Sequence, residues 1–399
     1  MFSKQELDKY AQTMWWGLET ARTKPFAAGD WVLVSYDLEA LPLAESIFAL
    51  LMEKGLNPVM RLAQTTSMEV DFYGKGNDAQ ITALAPGEKE LTENLNGLIR
   101  LIAPSSLTHL KDIDPAKIGK TAVARKPLRD IMEKREIAGE FGWTLCVYPT
   151  KAYADAANLT MDEFRDQLVK ACFLDEDQPY EHWKSIFNEA EKVKTWLNGL
   201  DIEYLHLTSE HTDLKVDPGK DRRWLGVSGH NIPSFEIFLS PDWRGTEGVY
   251  YADQPSFRSG NYVEGVRLEF KNGVAVKSEA REGGEFVAKQ LAMDEGAARL
   301  GEFSLTDRRF SRIDKFMANT LFDENFGGEH GNCHVAVGAS YADTYAGDQT
   351  SLDKDKKETL GFNDSALHWD LVNTEPKTVT ARLKDGTDLV IYRDGEFQI

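Results

Sequence analysis

Apolar and polar positions alternate with two different periods along this chain, and the change from one to the other divides it. From residue 3 to residue 22 the apolar groups Leu7, Tyr10, Ala11, Met14, Trp15 and Leu18 recur at helical spacing. The run WVLVSY, after Gly29 and Asp30, then predicts a strand, LPLAESIFALLMEKG a helix stopped by Gly55, and NPVMRLA the next strand. That order is a βαβ unit. GLIRLIAP (97–104), a charged helix through Arg125 to Arg135, and WTLCVYPT (143–150) continue it, so a parallel sheet covered by helices is expected. Two helices follow between Asn158 and Gly199. The first opens with Thr160 and, three residues on, Glu163, a capping pair in which each side chain satisfies a free amide. The second starts at Pro179 and carries the core stripe Trp183, Ile186, Phe187, Ala190, Val193, Trp196 and Leu197.

Near Leu207 the helical period gives way to strands punctuated by glycine. EYLHLTS, TDLKVDP and RRWLGVSG read as short strands, while Asn272-Gly273 and Asp385-Gly386 mark hairpins, since both positions of such turns tolerate positive φ. A helix from Glu285 to Leu300 interrupts the strands and leads to Glu302. The expected fold is therefore α/β in two domains. Residues 1–206 form a parallel α/β domain, and residues 207–399 form an α+β domain whose sheet is largely antiparallel and wraps its own core.

The chemistry lies late in the chain. In ALHWD the apolar Leu367 and Trp369 alternate with His368 and Asp370, so on a strand the imidazole and the carboxylate leave from one face. In CHVAVG the run Val335 to Val337 predicts a buried strand with His334 at its mouth. Taken singly these histidines read more readily as hydrogen-bonded core residues, and it is the company they keep that points to a site. Elsewhere the motifs argue against other chemistry. The turn after the first strand, SYDLEALP, has neither GxGxxG nor GxxxxGK[ST], so no phosphate cradle is expected there. Cys146, Cys172 and Cys333 form no CxxC pair and read as reduced core thiols.

Composition narrows the choice further. With 399 residues, 42% hydrophobic, the chain can bury large cores. Its 65 acidic and 46 basic residues give a net charge of −19, which disfavours nucleic acid and suits a site that concentrates cations or amines. The start, MFSKQELDKY, lacks a signal-peptide core, and no apolar run reaches about 18 residues, so neither membrane insertion nor secretion is expected and a cytoplasmic chain is.

Five motifs in order, GHNIPSFEIFLSP (229–241), RLGEFSL (299–305), TLFDEN (320–325), CHVAVGASY (333–341) and ALHWD (366–370), resemble those of the thermophilic-type metallo-aminopeptidases, the family of aminopeptidases T and S. YPTKAYADAANLTMDEF and the Pro179 helix extend the resemblance over nearly the whole chain. It implies a homodimer that removes amino-terminal residues from peptides at a dinuclear centre in the C-terminal domain. It also implies the ligands Glu236, Glu302, Glu324, His334, His368 and Asp370, with Tyr341 beside the metals. Phe235 stands where the family usually has Gly or another residue before the first Glu, which makes that neighbourhood bulkier, and Glu247 in GTEG competes with Glu236, which is favoured. The spacer FGGEHGN adds Glu329 and His330, read as exposed loop residues.

Carboxylates with two imidazoles and no thiolate suit Zn²⁺, Co²⁺ or Mn²⁺, and two such ions need a bridging carboxylate. Glu302 is assigned that role or the general base, and Tyr341 the hydrogen bond to the developing oxyanion. Two rivals are kept: a dinuclear phosphoesterase, for which no Arg or Lys flanks the motifs, and a non-catalytic dimeric binding protein, which would hold no metal.

Overall fold

A computed structural model describes residues 1–258 and 260–399. The chain divides into two compact units, Met1–Lys184 with Ser228–Pro233, and Ser185–Val227 with Ser234–Ile399. It passes from the first to the second inside the helix Pro179–Asn198, upstream of the change in period near Leu207.

The first unit is built on parallel strands β1 (Trp31–Tyr36), β2 (Asn57–Leu62), β3 (Gly97–Ile102) and β4 (Gly142–Val147), in the order β2-β1-β3-β4. The apolar runs anticipated for this sheet form it. The helix Lys4–Thr20 starts with a capping box between Ser3 and Glu6 and buries Tyr10, Met14 and Leu18. Leu41–Glu53 ends before Gly55, whose φ of +73° takes the chain into the next strand. Two features were not legible. Three short helices, Thr66–Lys75, Asp78–Thr82 and Glu88–Asn94, fill the β2 to β3 connection, and a further helix, Pro115–Ala124, precedes the expected charged one, Lys126–Ile137. A two-residue strand, β8 in chain order (Asn231–Ile232), also returns to pair with β4.

The second unit holds two antiparallel sheets where a single wrapped sheet was expected. The larger has the order β14-β13-β10-β6-β5-β18-β19-β20. Its strands are β5 (Ile202–Thr208), β6 (Asp213–Asp217), β10 (Asp242–Ala252), β13 (Val266–Lys271), β14 (Val274–Glu279), β18 (Thr378–Leu383), β19 (Asp388–Arg393) and β20 (Glu396–Phe397). Both expected hairpins are present, with Asn272, Gly273 and Gly386 at positive φ. The smaller sheet has the order β17-β16-β15-β9-β7, from β7 (Leu225–Gly226), β9 (Glu236–Leu239), β15 (Leu300–Thr306), β16 (Asn332–Gly338) and β17 (His368–Asn373). A hairpin of β11 (Ser256–Arg258) and β12 (Asn261–Val263) stands apart from both. The sheets are joined by buried phenols: Tyr250 donates to the carbonyls of Cys333 and Leu371, and Tyr392 to that of Thr306.

Three local expectations are corrected. The helix expected over Glu285–Leu300 is Gly284–Leu291, because the Asp294 carboxylate accepts from the amides of Gly296 and Ala366 and stops it in a turn. RRWLGVSG keeps only the two residues of β7, since φ of +135° at Gly226 and +50° at Val227 turns the chain out of the sheet. His334 is not at the mouth of its strand but inside it, with no exposed surface.

Candidate metal centre

The register of the small sheet gathers the candidate ligands on one face. On β16, His334 and Ala336 lie opposite Ser304 and Glu302 of β15 on one side, and opposite Val372 and Asp370 of β17 on the other. His368 lies opposite Gly338, and Glu236 on β9 opposite Thr306. Cross-strand partners share a face, so Glu236, Glu302, His334, His368 and Asp370 all project to the same side. Trp369 projects to the other, where it is buried and its indole donates to Ser256 Oγ at 2.9 Å.

One irregularity makes this possible. The register slips between Leu300, opposite Val337, and Glu302, opposite Ala336, so Gly301 is an extra residue. Without that bulge Leu300 and Glu302 would face the same way; with it Leu300 enters the core and Glu302 the site. Only glycine fits, because a Cβ there would lie 2.3 Å from the carbonyl oxygen of Ala339.

Glu302 is central to the geometry. Its Oε1 lies 3.3 Å from His334 Nε2 and its Oε2 3.4 Å from His368 Nε2. Glu236 Oε2 is 3.3 Å from the same His334 nitrogen, and Asp370 Oδ1 3.4 Å from that of His368. Two donor groups result, Glu236-Glu302-His334 and Glu302-His368-Asp370, sharing one carboxylate. Two donors each about 2.1 Å from a tetrahedral ion stand about 3.4 Å apart, so both groups fit a divalent metal. His368 is oriented for this, since its Nδ1–H donates to the Ala339 carbonyl at 2.9 Å and leaves Nε2 facing the carboxylates.

The electrostatics describe a sink for positive charge. Burial opposes charge on His334, yet hydrogen bonds to Glu236 and Glu302 hold it well above the ordinary imidazole range. His368 is likewise raised, to about 11, against burial and by Asp370. Asp370 falls to about 2 despite burial, through the His368 charge, and Glu302 is lowered by both imidazoles. Glu236 is raised by burial. Glu324, the residue ending the short helix Thr320–Asp323, is raised well above the carboxylate range by burial and by Glu236 and Asp370. Protons on the imidazoles, or metal ions, balance this charge.

Tyr341 follows β16 and packs its ring 4.6 Å from the His368 imidazole. Although 45% of its surface is exposed, partial desolvation and the carboxylates of Glu302 and Asp370 raise its phenol, so it stays a hydrogen-bond donor at neutral pH. Glu247 is exposed on β10, where it accepts from the Asn272 amide, and Glu329 is an exposed loop residue outside both donor groups. Three supporting residues were missed. Asn325 Oδ1 accepts from the amides of Phe235 and Glu236 and fixes the entry to β9. Asp323, raised to about 8 by burial, accepts from the amides of Met317 and Asn319. Arg258, a cation the sequence did not bring near the motifs, donates to the His368 carbonyl at 2.9 Å and helps lower Asp370. Asn325 and Asp323 were within reach of sequence reasoning, since they sit inside FDEN. Nothing in the sequence pointed to Arg258.

Among proteins of known kind, the chain matches the family Thermophilic metalloprotease (M29) over residues 3–397. It is 28% identical to Aminopeptidase 2 of Geobacillus stearothermophilus, covering 99% of this chain and 98% of the relative. It is 30% identical to Aminopeptidase AmpS of Bacillus subtilis (strain 168), over 78% and 79%. The solved structure of wild-type AmpT from Thermus thermophilus superposes with a TM-score of 0.80 at 23% identity, covering 99% of this chain and 100% of that one, and so shares the fold.

Proposed function

This chain belongs to the thermophilic metalloprotease (M29) family, and from that premise we propose that it is a metal-dependent aminopeptidase working through two divalent ions. The observation that carries the reading is Glu302, whose two oxygens face two different imidazoles and so divide one carboxylate between two donor groups. Charge supports the count. With metal bound, Glu236, Glu302, Glu324 and Asp370 would carry four negative charges, which two divalent ions and two neutral imidazoles balance. The donor set, carboxylate and imidazole without thiolate, suits Zn²⁺, Co²⁺ or Mn²⁺.

When bound, such a pair lowers the pKa of a shared water, polarises the scissile carbonyl and offers an open position to the free amine of the substrate. The side chains do the rest. Glu236, His334, His368 and Asp370 would hold the ions, with Glu324 as a further ligand, and Glu302 would serve both donor groups or take the proton of the attacking water. The Tyr341 hydroxyl donates to the oxyanion as it develops. An open position for a free amine would be met by a chain end and by no residue inside a chain, which is why the chain end would be cut. The motif resemblance supports a homodimer. Among the described residues no helix is long and apolar enough to cross a membrane, which is compatible with the cytoplasmic location we assign.

Metal analysis of the purified chain, with hydrolysis of an aminoacyl chromogenic amide before and after chelation, tests the reading. Two ions per chain and activity lost on chelation and restored by Zn²⁺, Co²⁺ or Mn²⁺ are expected. Hydrolysis indifferent to chelation would overturn it.

A further inference from the structure

The ligand face is bordered by two unlike flanks. Beyond β17, Ser256, Thr320, Asp323 and Glu324 line a narrow polar crevice beside Asp370. On the β9 side the border is apolar. Phe238 stands two residues from Glu236 and opposite Ser304, and Leu225 of β7 lies opposite Phe238, so both side chains share the face of the ligands. Neither fills the core: their neighbours Ile237 and Leu239, on the other face, are 0% and 1% exposed, while Phe238 and Leu225 are only half-buried. Tyr341 closes the patch, its ring 5.9 Å from that of Phe238 in an edge-on contact. Its amide donates to Ser240 Oγ at 2.8 Å, two residues beyond Phe238, which ties the loop to the strand.

Covering apolar surface that stands partly open beside the ligand face is favourable. We infer that Leu225, Phe238 and Tyr341 seat the side chain of the substrate's amino-terminal residue, and that the enzyme favours bulky apolar first residues over glycine or acidic ones. The inference rests on the aminopeptidase reading above. A scissile carbonyl held between Glu302 and Tyr341 leaves the first side chain a choice of the two flanks. The carboxylate-lined crevice suits the amine, and the aromatic patch suits an aliphatic or aromatic chain. A first-residue carboxylate is repelled by the cluster itself.

The test is kcat/KM on leucine, glycine and glutamate p-nitroanilides, for metal-loaded wild type and for Phe238→Ala, Phe238→Leu and Leu225→Ala, with metal content measured on each. Wild type should prefer leucine to glycine by about tenfold or more, the range a hydrophobic pocket supplies. Phe238→Ala should lower that ratio about tenfold, mainly through KM, with Phe238→Leu restoring most of it and metal content constant. Equal losses on leucine and glycine amides, or a wild type with no preference, would overturn the inference while leaving the aminopeptidase reading intact. Failure of the metal-loaded wild type on every amide would overturn both. If Phe238→Ala does not fold, Leu225→Ala carries the same comparison, lowering the ratio if the seat is real and leaving it unchanged if it is not.

Discussion

Substituting Gly301 by alanine would place one methyl group where the bulge of β15 meets the chain leaving β16. The new Cβ would stand 2.3 Å from the Ala339 oxygen and 2.4 Å from the Gly338 oxygen, where ordinary contact begins near 3.4 Å. The neighbouring backbone must therefore recede by roughly 1 Å, a strain typical of overpacking and worth about 1–3 kcal/mol. The consequence for the site is specific. Ala339 O is the acceptor that orients the His368 ring, and Glu302, the shared carboxylate, is the next residue. Both donor groups are disturbed together, and loss of such support typically weakens a metal about 10–100-fold. Gly386→Ala is the control. Unlike Gly301 it has a positive φ, +88°, and nothing lies within 4 Å of its Cβ, so it should cost about 1–2 kcal/mol of backbone strain and leave metal affinity alone. Competition with a chromogenic chelator and thermal unfolding, run on both variants, separate the two effects. If Gly301→Ala loses stability but binds metal as wild type does, the bulge does not position the centre. If neither quantity changes, the close approach itself is wrong.

Other outcomes follow from the same geometry. His368→Ala and Asp370→Ala should deplete metal and abolish activity in a folded chain, whereas Trp369→Ala, on the opposite face, should cost roughly 3–5 kcal/mol in urea unfolding and keep its metal stoichiometry; metal loss without destabilisation in Trp369→Ala would invert the strand's faces. Tyr341→Phe should keep its metal while kcat falls ~10²-fold, as for one lost oxyanion donor, and unchanged turnover per bound metal would make the hydroxyl structural. Lys377 is buried and lowered to about 8, from 10.5, with its ammonium on the carbonyls of His330 and Gly331. A depressed folded pKa means that the unfolded chain binds the extra proton between these values, so stability should rise from pH 8 to 10.5, by roughly 3 kcal/mol at most. That rise should be absent from the unfolding free energy of Lys377→Met, and an identical slope in both proteins would refute the assignment.

What could be read from the sequence was local, and what could not was a matter of neighbours. The period of two in ALHWD fixes the faces of His368, Trp369 and Asp370 without reference to any other strand, and the structure has them so. The capping pair Thr160 and Glu163 is likewise a three-residue event, and it forms. The bulge is different. Read with a strict period of two, RLGEFSL puts Leu300 and Glu302 on one face and asks an apolar and a charged side chain to share it; the conflict was visible, but its solution depends on which residues of β16 lie opposite. The same holds for β9, which neighbours β15 although Glu236 and Glu302 lie far apart in the sequence. It holds again for Arg258, whose partner is a backbone carbonyl that no pattern of side chains records. The ligands were thus recognisable one strand at a time, while their convergence is a property of strand order and of one inserted glycine. That division locates the sensitive positions of the centre. Beyond the ligands they are Gly301, Asn325 and Arg258, which hold no metal and carry no chemistry, but decide whether four separate strands present their donors to the same point.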